Sequence, residues 1–357
     1  MTPEPETRVP EAELRAVVVG IFRRAGMDEG DAALLGGSLV DADLGGVHSH
    51  GVLRVPEYVE KLKLGGVDPR GRPAVVRDMG ACLVVDGGNS MGQIGATFAM
   101  ERAIERAATT GIAAVAVRGS NHCGAMAPYV LQAVERDMIG WATTNALPTM
   151  APWGGAERLL GINPLGVGIP AGEELPIVYD AAFSGSAHGK IRVYHQKGWT
   201  LPEGWALDSN GRPTVDPAAA IDGLLMPIGG FKGTGLALIM GIFSSMLSGA
   251  AYGTELGDMY AGPRAGQDGH FLLALNVAAF EEVGRFKARV DAAIRQIHAC
   301  RRAPGVERIY APGEKELLAR REYARDGIPL NHVTLADLRR TAEGLGVADG
   351  GYAWLAE

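Results

Sequence analysis

The stretch Gly233 to Thr254 runs 22 residues without a charged side chain, and it constrains the fold more than any other feature. A segment this apolar must either cross a bilayer or be covered by protein. It is broken by Gly235, Gly241, Ser244, Ser245, Ser248, Gly249 and Gly253, and no second span or basic flank accompanies it. The reading is therefore a helix from 233 to about 250, buried inside a globular domain. A chain of 357 residues can supply the covering layers, with two domains as the default expectation. A content of 47% hydrophobic and 21% charged residues fits a folded protein and excludes a mainly disordered one. A net charge of -7 and the absence of a long Lys/Arg run remove the electrostatic basis for binding nucleic acid or an anionic membrane. A small ligand is the partner class that remains. Cys82, Cys123 and Cys300 show no Cys-x-x-Cys spacing, so neither a disulfide framework nor a zinc site is indicated. The acidic, proline-rich start without an apolar core does not read as a signal peptide, and a reducing, cytoplasmic setting is expected.

Periodicity places amphipathic helices at 11–25 and 28–44, with Asp28 as a cap, and a short helix from Pro56 to Leu64. Two strands follow, Pro73 to Arg77 and Ala81 to Asp86, as a hairpin around Asp78-Met79-Gly80. Gly92 to Thr110 reads as a helix, and Ile112 to Val117 as a strand buried on both faces. Further strands are expected at Ile139–Asn145, Leu165–Ile169, Ile177–Ala181 and His270–Val277, mostly loop at 198–227, and helices near 279–299, 313–325 and 334–346. The fold class is α+β: a mixed sheet flanked by helical segments from both termini. Its expected divisions are 1–72, helical with the catalytic motif; 73–280, the sheet domain; and 281–357, helical and packed on the first.

Reactive side chains concentrate between Asp43 and Tyr58. His48 and His50 change charge near neutral pH, Ser49 is a small donor and acceptor, and Arg54 is suited to gripping a carboxylate. Spacing alone leaves other readings open: solvated histidines with an Arg54–Glu57 surface pair, or His48 and His50 on an extended strand as metal ligands. The loop Gly119 to Gly124 follows a buried strand, a position that ligands favour in sheet-and-helix proteins. A nicotinamide enzyme of the usual kind would show Gly-x-Gly-x-x-Gly between a strand and a helix, and this chain does not. Gly229-Gly230-Phe231-Lys232-Gly233 instead opens a helix with glycines and a lysine, where a pyrophosphate can dock or a neighbour can pack tightly. Asp180 to Lys190 offers hydroxyl, imidazole and backbone donors at a strand end, or is a polar turn.

Together these segments resemble the malate/L-lactate dehydrogenase-like oxidoreductases, a family that also contains ureidoglycolate dehydrogenase, sulfolactate dehydrogenase and diketogulonate reductase. The residues that carry the resemblance are Ser49-His50-Gly51 with Arg54 and Tyr58, Ser120-Asn121-His122-x-Gly124, and Gly161-x-Asn163-Pro164. With them go Asp180 to Ser184 with Ala187, Gly189 and Lys190, then Gly204-Trp205 with Asp208, Gly229-Gly230-x-Lys232-Gly233, and Pro312-Gly313-Glu314. The resemblance implies a non-Rossmann nicotinamide-binding fold, NAD or NADP as cofactor, a homodimer, no metal, and reversible reduction of a small 2-oxo acid to its 2-hydroxy acid. It implies that His50 and His122 are acid/base residues, and that Arg54 binds the substrate carboxylate with Ser49 and Thr144 as further substrate contacts. Asp180, Ala181, Ala182, Phe183, Ser184, Phe231, Lys232, Gly313, Glu314 and Lys315 take cofactor positions. Family members usually carry Met and Thr where this chain has Ala181 and Phe183. The competing expectations are a reductase of cyclic imino acids, a metal enzyme using His48 and His50, and a catalytically silent binding protein.

Overall fold

The computed structural model describes residues 6–257, 266–347 and 350–356. Its centre is a seven-stranded mixed sheet in the order Ala74–Asp78, Cys82–Asp86, Ile112–Ser120, Asp268–Asn276, Met138–Thr144, Leu165–Ile169, Ile177–Ala181. Only Cys82–Asp86 and Ile112–Ser120 pair in parallel; the other pairings within it are antiparallel. A parallel pair needs a long crossover, and the helix Gly92–Thr110 supplies it. Ala96, Ala99, Met100, Ala103 and Ala107 of that helix pack on Val85, Val115, Val117 and Leu272 of the sheet. Alanine on this face lets helix and sheet approach closely.

The terminal segments share a second core. Leu14, Val18, Ile21, Phe22, Leu35 and Leu39 of the helices Glu11–Arg24 and Glu29–Leu44 cluster with Ile328, Leu330, Leu335, Leu338 and Trp354. A strand Thr7–Val9, which the sequence reading lacked, pairs with Ile328–Leu330. Its three residues are too short for a period to show. Helices Ala127–Val134 and His188–Gln196 were also missed; the first is short and holds Pro128 in its first turn, and the second is mostly polar. Region 198–227 is largely loop as expected, with strands of two residues each and one short helix.

The uncharged segment differs most from expectation. It forms the helix Phe231–Gly241, continuing as a π turn through Ile242–Met246, and only one side is covered. Gly233, Ala237, Met240, Gly241, Ser244 and Ser245 are buried, whereas Phe231 is 61%, Leu236 42%, Ile239 46%, Met246 54% and Leu247 54% exposed. The covered side is the one with small residues. Ser244 and Ser245 satisfy their hydroxyls on the carbonyls of Met240 and Gly241 one turn back, so polar side chains can sit against the sheet. A pattern apolar on all sides reads as buried, and it cannot reveal that the large side chains are the ones left uncovered. Among the described residues no helix is long and apolar enough to cross a membrane.

Candidate active site

The stretch Asp43 to Tyr58 leaves the helix Glu29–Leu44 and winds through two 3-10 turns, His48–His50 and Val52–Arg54, into the helix Val55–Lys63. Asp43, 1% exposed, organises these turns. One carboxylate oxygen accepts from His48 Nδ1 at 2.7 Å and the other from the Val52 amide at 2.7 Å. Burial raises its pKa, and the bonds from His48 and Val52 oppose that rise. A Cβ on Gly51 would lie 2.2 Å from this carboxylate, so only glycine lets the chain pass. His48 stacks on Tyr323 while His50 stacks on His122. The two imidazoles of the His-x-His pair thus have different partners, in a helical turn rather than on a strand.

His50 and His122, 72 positions apart in the chain, lie ring to ring with centroids 6.0 Å apart and planes 13° from parallel. His50 Nδ1 is 2.9 Å from Ser49 Oγ, and His122 Nδ1 is 2.6 Å from the Tyr58 hydroxyl. Gln93 Nε2 donates to that same hydroxyl at 3.3 Å. His122 Nδ1, the Tyr58 hydroxyl and the Gln93 amide thus form one hydrogen-bonded chain, which fixes the plane of the His122 ring. The helix bearing Gln93 meets the His122 loop closely, since a Cβ on Gly92 would stand 1.9 Å from the Asn121 carbonyl oxygen. Burial, then Arg54, lowers the His50 pKa to about 4. Burial, then His50 and Arg54, holds His122 well below the usual imidazole value. Both rings are therefore neutral at pH 7.

Arg54 donates from Nε to the Ser49 carbonyl at 2.9 Å and from NH1 to Glu57 at 2.8 Å. The Glu57 pair exists, but with side chains 23% and 8% exposed it lies within the cluster rather than on open surface. Glu57 Oε1 and Gln93 Oε1 are buried without a hydrogen-bond partner, so the cluster retains acceptors that a ligand can meet. Thr144 ends the strand Met138–Thr144, bonded to His270 and adjoining Cys123 in the His122 loop.

The cofactor candidates converge on the strand Ile177–Ala181. Asp180 Oδ2 accepts from the amides of Met126 and Ala127, both at 2.8 Å, so it anchors the loop that carries His122. Ala181 and Ala182 are partly buried, Phe183 is 2% exposed among Met150, Leu160 and Ala237, and Ser184 bonds to the Ser186 carbonyl. Phe183 offers its carbonyl to Ile228, and Ser184 bridges Pro227. This brings the first segment beside the helix start at Phe231 and Lys232, both exposed. The Val178 amide donates to the Pro312 carbonyl, which brings in Gly313 to Lys315. Glu314 is 4% exposed and accepts from His298, Arg308 and the Ala311 amide. Lys315 lies over the Tyr310 ring. Asp180 and Glu314 therefore brace their loops from within.

Sequence reasoning gave no role to Asp43, Gln93 or His270. Asp43 and Gln93 are single polar residues within helices, and His270 begins an expected strand, so no local pattern marks them. Among the described residues no group of three or more His, Cys, Asp or Glu is placed to hold a metal ion.

Comparison with known proteins extends this picture. The profile described as "Malate/L-lactate dehydrogenase" matches residues 9–339. Malate dehydrogenase from Pyrococcus abyssi is 37% identical over 348 residues, covering 95% of each chain. The solved structure of sulfolactate dehydrogenase from Methanocaldococcus jannaschii superposes with a TM-score of 0.91 at 35% identity, covering 97% of this chain and 99% of that one. A Pseudomonas putida protein named as a Δ1-pyrroline-2-carboxylate/Δ1-piperideine-2-carboxylate reductase is 31% identical over 334 residues, 93% of this chain and 96% of its own.

Proposed function

The chain belongs to the malate/L-lactate dehydrogenase family, and from that premise we propose that it interconverts a small 2-oxo acid and its 2-hydroxy acid using the His50–His122 cluster. The observation that carries this reading is the meeting of two neutral imidazoles beside a guanidinium. That combination serves proton transfer next to a bound carboxylate.

The family implies a nicotinamide cofactor, NAD or NADP, and the residues present fit one. The exposed Lys232 stands in the first turn of a helix, where amides lack intrahelical partners. Phe231 and the backbone of Ala181 to Ser184 lie alongside, and Gly313 to Lys315 borders the same strand. These residues would hold the dinucleotide, on a sheet domain of non-Rossmann kind. When bound there, the nicotinamide would supply or take up the hydride of the reaction.

The chain's own residues do the rest. Arg54 fixes the carboxylate, with Ser49 and Thr144 beside it, which turns the reacting carbon toward the cofactor. Burial is the larger cause of the low His50 pKa and Arg54 the smaller, so a carboxylate on Arg54 offsets the smaller of the two and raises the pKa in part. His50 then carries the proton to or from the substrate oxygen. His122, held by Tyr58 through Nδ1, turns its Nε2 side to that oxygen and polarises it. The helix Phe231–Gly241 and its continuation leave Phe231, Leu236, Ile239, Met246 and Leu247 exposed together, and an apolar run of this kind supports a homodimer; a cytoplasmic location goes with the same reading.

The test is the absorbance of NADH and NADPH against a panel of 2-oxo acids and cyclic imines. Turnover of a 2-oxo acid is the expected result, and turnover of none of the panel contradicts the proposal. The 31% identical imine reductase keeps cyclic imino acids as the second reading, and preferential turnover of an imine would select it.

A further inference from the structure

His270 is buried at 1% exposure in the strand Asp268–Asn276, between two other strands of the sheet. Both ring nitrogens meet a hydroxyl: Nδ1 lies 2.8 Å from Thr144 Oγ1, and Nε2 lies 2.7 Å from Ser120 Oγ. Both hydroxyls are themselves buried. Thr144 reaches two further acceptors, the carbonyls of Gly269 at 3.1 Å and Asn145 at 3.2 Å. Among the described residues Ser120 Oγ meets no acceptor other than the His270 ring, and that ring also reaches the backbone of Gly269 and Asn121.

Counting protons fixes the direction of this chain. A neutral imidazole has one donor and one acceptor nitrogen. If Nε2 carried the proton, the Ser120 hydroxyl would be buried with its hydrogen unpaired, a costly arrangement. If Nδ1 carries it, Ser120 donates to Nε2, Nδ1 donates to Thr144 Oγ1, and the Thr144 proton is not drawn to the ring, so it can turn to a carbonyl, to the Cys123 sulfur or to a ligand. Every hydrogen is then placed. Burial lowers the ring's pKa to about 4, so the neutral form persists at working pH.

We propose that His270 is a positioning residue, which donates from Nδ1 to Thr144 and so leaves the Thr144 hydroxyl proton available to an oxygen of the substrate. Ser120 ties the same ring to the start of the Asn121-His122 loop, so one side chain sets both the hydroxyl and the base of that loop. This rests on the reading of Thr144 as a substrate contact.

Two substitutions separate the ring nitrogens. The amide of His270→Asn can replace the Nδ1 donor, whereas that of His270→Gln reaches the Nε2 position. His270→Gln is expected to raise KM for the 2-oxo acid by about three- to tenfold, the worth of one neutral hydrogen bond. Its kcat and dinucleotide affinity should stay near wild type. His270→Asn should keep KM close to the wild-type value. Equal KM changes in the two variants, or a change in kcat alone, overturn the proposal. Nitrogen NMR of the wild-type protein at neutral pH reads the tautomer without turnover. A protonated Nδ1 and a bare Nε2 are expected, and the reverse overturns the assignment even if the variants do not fold. A wild type that reads as Nδ1-protonated but turns over no 2-oxo acid or imine would instead fault the proposed reaction.

Discussion

The His50–His122 cluster and the edge formed by Ala181–Ser184, Phe231–Lys232 and Gly313–Lys315 are built in opposite ways. In the cluster, functional side chains hold one another: Ser49 on His50, Tyr58 on His122, Arg54 on Glu57, Asp43 on the turn beneath them. At the edge, the carboxylates of Asp180 and Glu314 brace their loops, while Phe231, Lys232 and Lys315 stay exposed. The cluster's side chains are held by one another, whereas the edge leaves its cations and Phe231 open. Substitutions in the cluster should therefore strike turnover, and substitutions at the edge should strike affinity.

The largest contrast is expected from His50→Ala. Loss of general acid/base catalysis is worth about 10²- to 10⁴-fold in kcat, with dinucleotide affinity within a few-fold of wild type. Equal losses in both quantities would erase the distinction between the regions.

Burial also sets a pH dependence. The folded His270 pKa of about 4 lies below its ordinary 6.5, so between those values the unfolded chain holds a proton that the folded chain excludes. The His270 contribution to stability is then fully present above pH 6.5 and falls as pH drops toward 4, by about 3 kcal/mol at ~1.36 kcal/mol per unit, with His50 adding to the fall in the same window. Urea melts at pH 7 and pH 4.5 of wild type and His270→Asn check this, and the variant should show the shallower dependence.

Arg54→Lys tests the cluster's grip on substrate. Lysine cannot reproduce a bidentate carboxylate bond, so kcat/KM for the best 2-oxo acid should fall by ~10- to 150-fold, or about 1.5–3 kcal/mol. Intact catalysis with a lower melting temperature would reduce Arg54 to its ion pair with Glu57. The smallest effect belongs to the edge. Lys232→Ala removes one exposed cation and should weaken dinucleotide binding by about five-fold at most, in the range of an exposed ion pair, with kcat unaltered in a fluorescence titration paired with turnover.

Much of this was legible in the chain because short-range pattern carries it. Gly92–Thr110 and the strands around Asp78-Met79-Gly80 announce themselves by period and turn residues, and Ser49-His50-Gly51 with Ser120-Asn121-His122 by motif. Asp43, Gln93 and His270 acquire meaning only when the fold sets them against Gly51, Tyr58 and Thr144, which no local pattern encodes. The helix Phe231–Gly241 shows the converse, since its composition was plain while the face it turns outward depended on the sheet beneath it.

A double-mutant cycle on kcat with His50→Ala, His122→Ala and the pair together tests most directly whether the two imidazoles act as one site. Groups that act as a unit lose their effect together, so the expected result is a double variant about as slow as the slower single one. Losses that multiply, or a wild-type kcat in either single variant, would contradict a shared catalytic cluster.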